Sequence, residues 1–239
     1  MKTLQRERRD GIEILRLDRP EVRNAMSSPL LDELAAALTE LAADAELRAL
    51  VLSTTSEQAL SAGADVGEQL DHAGGVARME RFAEVYAGLE AFPAPTVAVC
   101  VGNCVGAGAE VVAACDLRVA GDNLKLAWAG ARLGVPVGPA RLVPLIGLSR
   151  AKELILTGRV VGAEEAERIG FAQRVVPAAE AEAAALELAA AASQGPPEAM
   201  RTLKGMFRDL ERTAQRVELE NALLVDFQRH GAGLPRRGP

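Results

Sequence analysis

Two stretches of small residues stand where extended sequence gives way to the next element: Ser61-Ala62-Gly63-Ala64-Asp65, and the ten residues from Val101 to Glu110, VGNCVGAGAE. Small side chains let a ligand approach the main chain closely. The second stretch opens a helix, whose first-turn N–H groups lack intrahelical partners and carry partial positive charge. Such donors suit chemistry that builds negative charge on a carbonyl oxygen, because they are in place before the charge develops. Glu110 falls in the first turn of that helix. A carboxylate there can act as general acid or base, or merely complement the helix dipole for about 0.3–1 kcal/mol; a catalytic carboxylate should show a shifted pKa. Gly106-Ala107-Gly108 also begins a dinucleotide-binding G-x-G-x-x-G, but Val111 takes the third glycine's place. Asp122 also follows sooner than the usual spacing of about 20 residues, so a nicotinamide cofactor is not expected.

The elements that must carry these loops alternate. Gly11 to Leu17 reads as a half-buried strand, followed by a turn at Asp18-Arg19-Pro20. Ser28 is the expected N-cap of a helix with Pro29 at its first position and Leu30, Leu34, Leu38 and Leu41 on one face. Apolar runs at 49–53, 96–101, 117–120 and 172–176 read as strands, and helical periodicity marks 73–91, 106–115, 150–157, 163–169 and 178–193. Gly195-Pro196-Pro197 interrupts the pattern. A core of residues 1–195 and a helical region over 196–239 follow, with one helical stretch at 198–229 and a mobile tail after it.

At 239 residues the chain can bury a full core. Its net charge of −6 argues against nucleic acid as a partner, since phosphate binding wants a basic face. No apolar run approaches the roughly 18 residues that span a bilayer, so no membrane partner is expected. The first residues lack a signal-peptide core, so a cytoplasmic location is expected. Cys100, Cys104 and Cys115 lie in apolar sequence away from both His72 and His230. They read as small buried hydrophobes, with neither a metal site nor a disulfide framework.

Pro20-Glu21-Val22-Arg23-Asn24-Ala25, then Ala62-Gly63-Ala64-Asp65, then the loop from Gly102 to Glu110 followed by Cys115-Asp116, resemble successive signatures of the crotonase superfamily, the enoyl-CoA hydratase/isomerase family. Their order and spacing agree with it, and the likeness runs from about Gly11 to Val176, with Leu156-Thr157-Gly158 and Ala163-Glu164-Glu165-Ala166 as further points. The resemblance implies an α/β fold, the ClpP/crotonase-like spiral of ββα units with a C-terminal helical region, assembled as homotrimers or hexamers. It implies an acyl-CoA thioester as substrate, with coenzyme A belonging to the substrate and no separate cofactor; an acyl-carrier protein is the alternative carrier. By position, the N–H groups of Ala62 and Ala107 would form an oxyanion hole, and Arg23, Ala25, Ala62, Ala64 and Asp65 would bind CoA. Alanine at 107 replaces a common glycine, but the backbone donor is kept. Glu110 matches one of the two carboxylates that hydratases use.

The second carboxylate is missing: Gly130 stands in its place, and the loop from Gly134 to Leu142 is shorter than its counterpart in the family. One carboxylate could manage hydration or dehydration only slowly, and it suffices for double-bond isomerisation, for elimination, or for enolate formation followed by protonation. Three further residues could serve near the site. Trp128 reads as acyl-pocket wall or core packing, Arg132 as partner of an acyl carboxylate or of a neighbouring acid, and His72 as acid/base group or solvated loop residue. The chain ends soon after Phe227-Gln228-Arg229-His230, where Arg236 and Arg237 could meet phosphate. An active lyase or isomerase, a non-catalytic acyl-CoA or acyl-carrier binding protein, and an acyl-thioester decarboxylase or thioesterase all fit the sequence, in that order.

Overall fold

The computed structural model describes residues 2–234. Its strands are β1 (Leu4–Arg9), β2 (Ile12–Leu17), β3 (Ala49–Thr54), β4 (Ala59–Ser61), β5 (Thr96–Cys100), β6 (Asn103–Val105), β7 (Leu117–Gly121), β8 (Lys125–Ala127) and β9 (Arg174–Val176). The helices are α1 (Ser28–Ala42), α2 (His72–Glu90), α3 (Ala107–Ala113), α4 (Pro139–Ile146), α5 (Leu148–Thr157), α6 (Ala163–Arg168), α7 (Ala181–Ala192), α8 (Pro197–Leu210) and α9 (Thr213–Arg229).

The long strands form one sheet in the order β1-β2-β3-β5-β7-β9, antiparallel only between β1 and β2. Parallel strands covered on both faces carry unbroken apolar runs, which is why every residue of β5 and the first five of β3 are buried. One face packs into the main core. The other is covered by α7, whose Ala181, Ala184, Ala185 and Ala189 lie against Ile14, Val51, Val97, Val99 and Val119. β1 escaped the sequence reading because only Leu4 of LQRERR is buried; its charged side chains guard a sheet edge.

The short strands β4, β6 and β8 pair in parallel as a second sheet. Each turn of the chain thus lays down a long strand, a short strand and a helix, as in β3-β4-α2 and β5-β6-α3, and this is the expected ββα spiral. Three residues of strand are too few to show a period, so β4, β6 and β8 are invisible in sequence. In space they matter most, because they set the small-residue loops side by side.

α1 buries Leu30, Leu34, Leu38 and Leu41 as the spacing predicts. Its cap differs: Ser27 holds the N-cap position without a side-chain bond, and the Glu68 carboxylate accepts instead from the Ser28 N–H at 3.1–3.2 Å. The expected single C-terminal helix is two, α8 and α9, broken at Arg212 with φ of 52°. α9 returns to pack on α2 and α4, and its Leu224 belongs to the main core. The helical region after residue 196 therefore shares the core, while Arg236 and Arg237 lie outside the described residues.

Candidate active site

The site begins where β4 and β6 end. Their pairing, Ser61 opposite Cys104, brings residues 61–65 against the head of α3. The approach is close: a Cβ on Gly63 would sit 2.9 Å from Val105 O and 3.7 Å from Ala107 N, at a φ of +105° that L residues rarely adopt. Asn24 locks the 20–25 segment onto the same corner, its Nδ2 donating to Ala59 O at 3.1 Å and to Thr54 Oγ1 at 2.7 Å.

Several backbone donors around the site are already committed. Ala62 N–H donates to Arg23 O at 2.9 Å, Gly63 N–H to Ser61 Oγ at 3.2 Å, and Asp65 N–H to Met26 O at 3.0 Å. Across the gap, Gly106 N–H donates to Ala127 O and Glu110 N–H to Gly106 O. The N–H groups of Ala64 and Ala107 have no partner among the described residues. This corrects the sequence assignment. Ala62 lines the site, but its N–H is committed to Arg23, so the free donor of that loop is Ala64, two residues on.

Ala64 and Ala107 both open onto a cavity of about 200 Å³. Its other walls are apolar, from Met79, Phe82, Val105, Val135, Val137 and Leu224, with Tyr86 among them. Gly130 lines it too, presenting no side chain where a second carboxylate was sought.

Glu110 is placed otherwise than the sequence suggests. It is buried and does not line the cavity. Its Oε2 accepts from Arg141 Nε at 2.5 Å, and the same guanidinium donates to Glu220, lies 3.8 Å from Glu90 and stacks 4.5 Å from the centre of the Tyr86 ring. Glu110 Oε1 has no partner among the described residues. It faces Gly138, where a Cβ would come within 3.3 Å of it. Val135 and Val137 of the same loop line the cavity, so this loop lies over the carboxylate. Burial lifts the Glu110 pKa to about 7, against the pull of Arg141 and with help from Glu220. Burial likewise raises Glu90 to about 8. Arg141 stays charged, its pKa raised by the carboxylates around it despite the cost of burial.

The remaining candidates divide. Arg23 is exposed, in no ion pair among the described residues, and remains open to a phosphate. Asp65 is tied to Arg19 Nη1 at 3.0 Å, and that arginine also donates to Ala25 O, so Asp65 and Ala25 brace the loop. Trp128 is core, edge-on to Phe171 and beside Glu110, away from the cavity. Arg132 donates to Thr157 O at 2.8 and 3.2 Å, clamping the 130–133 turn to the end of α5. His72 is exposed at the start of α2, far from any role in the cavity wall.

Sequence reasoning missed Arg141, Glu220, Glu90 and Tyr86. A lone arginine in the apolar run PARLVPLI was a signal for a buried ion pair. Glu220, 79 residues later, gave none.

The chain matches the family model for enoyl-CoA hydratase/isomerase over residues 7–232. It is 38% identical over 180 residues to a probable enoyl-CoA hydratase, echA8, of Mycobacterium bovis, covering 74% of this chain and 70% of that protein. With the 2,3-dehydroadipyl-CoA hydratase of Escherichia coli it shares 30% identity over 224 residues, 92% of this chain and 86% of the other. Among solved structures, an enoyl-CoA hydratase/isomerase from Xanthobacter autotrophicus Py2 superposes with a TM-score of 0.87 at 25% identity, covering 98% and 89% of the two chains.

Proposed function

Because the chain belongs to the enoyl-CoA hydratase/isomerase family, we propose that it binds an acyl-CoA thioester with the thioester oxygen between the N–H groups of Ala64 and Ala107. The observation that carries this reading is that two backbone donors from different loops, Ala64 N–H and Ala107 N–H, have no partner among the described residues and lie on the wall of one apolar cavity. Removing the α-proton of a thioester moves charge onto the carbonyl oxygen, and two preset donors stabilise the resulting enolate. Apolar walls suit the acyl group, and Arg23 beside the 61–65 loop suits a phosphate of the CoA portion.

Glu110 moves the proton. With a pKa near 7 it gives and takes protons with similar ease at neutral pH. Its free Oε1 faces Gly138, so reaching the α-carbon requires the Val137–Gly138 segment to draw back. With Gly130 in place of a second carboxylate, the reaction best served is transfer of one proton between two carbons, as in double-bond isomerisation, rather than addition of water. A second reading, a binding protein for acyl-CoA or acyl-carrier thioesters without turnover, draws support from the absence of any carboxylate among the described residues lining the cavity.

Mass spectrometry of a small panel of saturated and enoyl thioesters in deuterated water separates the two. The enzyme incorporates deuterium at the α-carbon, and Glu110→Gln slows incorporation by about 10²–10⁴ while leaving acyl-CoA affinity nearly unchanged. Binding without exchange in the unaltered protein would establish the second reading.

A further inference from the structure

Tyr86, the only tyrosine in the chain, is also the only side chain with a hydroxyl, amide or charged group among the described residues lining the cavity. Its hydroxyl has no hydrogen-bond partner in the protein among those residues. The sealed, unpartnered polar atoms of this region are Glu90 Oε2, Glu110 Oε1, Trp128 Nε1 and Arg141 Nη1. The Tyr86 hydroxyl is not one of them, and Tyr86 is among the residues that line the cavity.

The ring is held from two sides. Arg141 lies 4.5 Å from its centre, and Phe82 stacks on it with centroids 5.8 Å apart and planes inclined by 30°. Arg141 is fixed in turn by Glu110 and Glu220. A donor held this firmly loses little freedom when a ligand accepts from it. Burial, with Glu110 and Glu220 nearby, keeps the phenol well above its ordinary pKa, so it remains a neutral donor.

A hydrocarbon acyl group in this cavity would strip water from that hydroxyl and give nothing back. Leaving a buried donor unmade is the costly outcome, and a site built around one discriminates against ligands lacking its partner. No cation lines the cavity among the described residues, since Arg141 sits behind the ring, so a carboxylate on the acyl group would lack a counter-charge. We infer that Tyr86 is a specificity-determining residue, and that the acyl group this chain takes carries a neutral acceptor oxygen, hydroxyl or keto, held by the Tyr86 hydroxyl. This rests on the thioester-binding reading above.

The test is calorimetric binding of three CoA esters of equal chain length, hexanoyl, 3-hydroxyhexanoyl and 5-oxohexanoyl, to the protein and to Tyr86→Phe, which keeps the ring and its contact with Arg141. At least one oxygenated ester should bind about tenfold more tightly than hexanoyl-CoA, and Tyr86→Phe should erase that preference while holding hexanoyl-CoA as well or better. Whichever oxygenated ester wins locates the oxygen along the chain. Equal binding of all three by the unaltered protein, a result that needs no variant, overturns the inference and leaves thioester binding standing. A preference that survives in Tyr86→Phe overturns it too. Failure of all three esters to bind removes the thioester reading itself.

Discussion

Ala107 and Glu110 stand one helical turn apart on α3, yet their surroundings have little in common. The first opens onto an apolar cavity and offers it a backbone N–H. The second is shut behind a valine-bearing loop, its carboxylate held by Arg141 within a group of four charged side chains from α2, α3, α4 and α9. A backbone donor is supplied by the fold alone, whatever the side chain. The state of a buried carboxylate is set by its neighbours, and here they come from parts of the chain that no local pattern links.

If that contrast is right, damage on the charged side should appear first in stability. Arg141→Met leaves three carboxylates around an apolar side chain, and denaturant unfolding should show a loss of about 3–5 kcal/mol. A loss below about 1 kcal/mol would mean that the cluster is solvated and Glu110 is freer than its burial implies.

A smaller effect should appear in the pH dependence. Glu90 and Glu110 hold their protons to about 8 and about 7 in the folded protein, whereas an unfolded glutamate releases its proton near about 4.3. Between those values the folded state binds more protons than the unfolded, so these groups make stability fall as pH rises, and the fall ends above the folded values. Glu90→Gln removes its share, so the decline in Tm from about pH 5 to about pH 8 should flatten, and a slope equal to that of the unaltered protein would show that Glu90 is not the buried acid described.

The smallest effects belong to candidates that lie outside the cavity. Arg132→Ala and His72→Ala should each leave α-proton exchange within about twofold of the unaltered protein, as expected of groups that touch neither cavity nor cluster. A large loss in either would move the boundary of the site.

The sequence revealed the two halves of this site unequally. The helix of Leu30, Leu34, Leu38 and Leu41 and the buried parallel strands were legible because burial imposes a period or an unbroken apolar run. The loops at 61–65 and 101–110 were legible because close backbone approach excludes large side chains. What failed was finer. Choosing Ala64 over Ala62 depends on knowing that Ala62 N–H is taken by Arg23 O, a bond across 39 positions in the chain. Glu110 was found, but its enclosure depends on Arg141 and Glu220, and the break of the last helix at Arg212 left no glycine or proline to announce it. Tyr86 stood in an ordinary amphipathic helix, and only the shape of the cavity sets it apart.

The proposed thioester site depends above all on the Ala107 N–H as donor to the thioester oxygen. Ala107→Pro removes that donor at a position where proline is tolerated, the first of a helix, and sets its ring Cδ where the N–H pointed. With α3 and the fold intact by circular dichroism, α-proton exchange should fall by about 10²–10³. Exchange within a few-fold of the unaltered protein would show that the oxygen is held elsewhere.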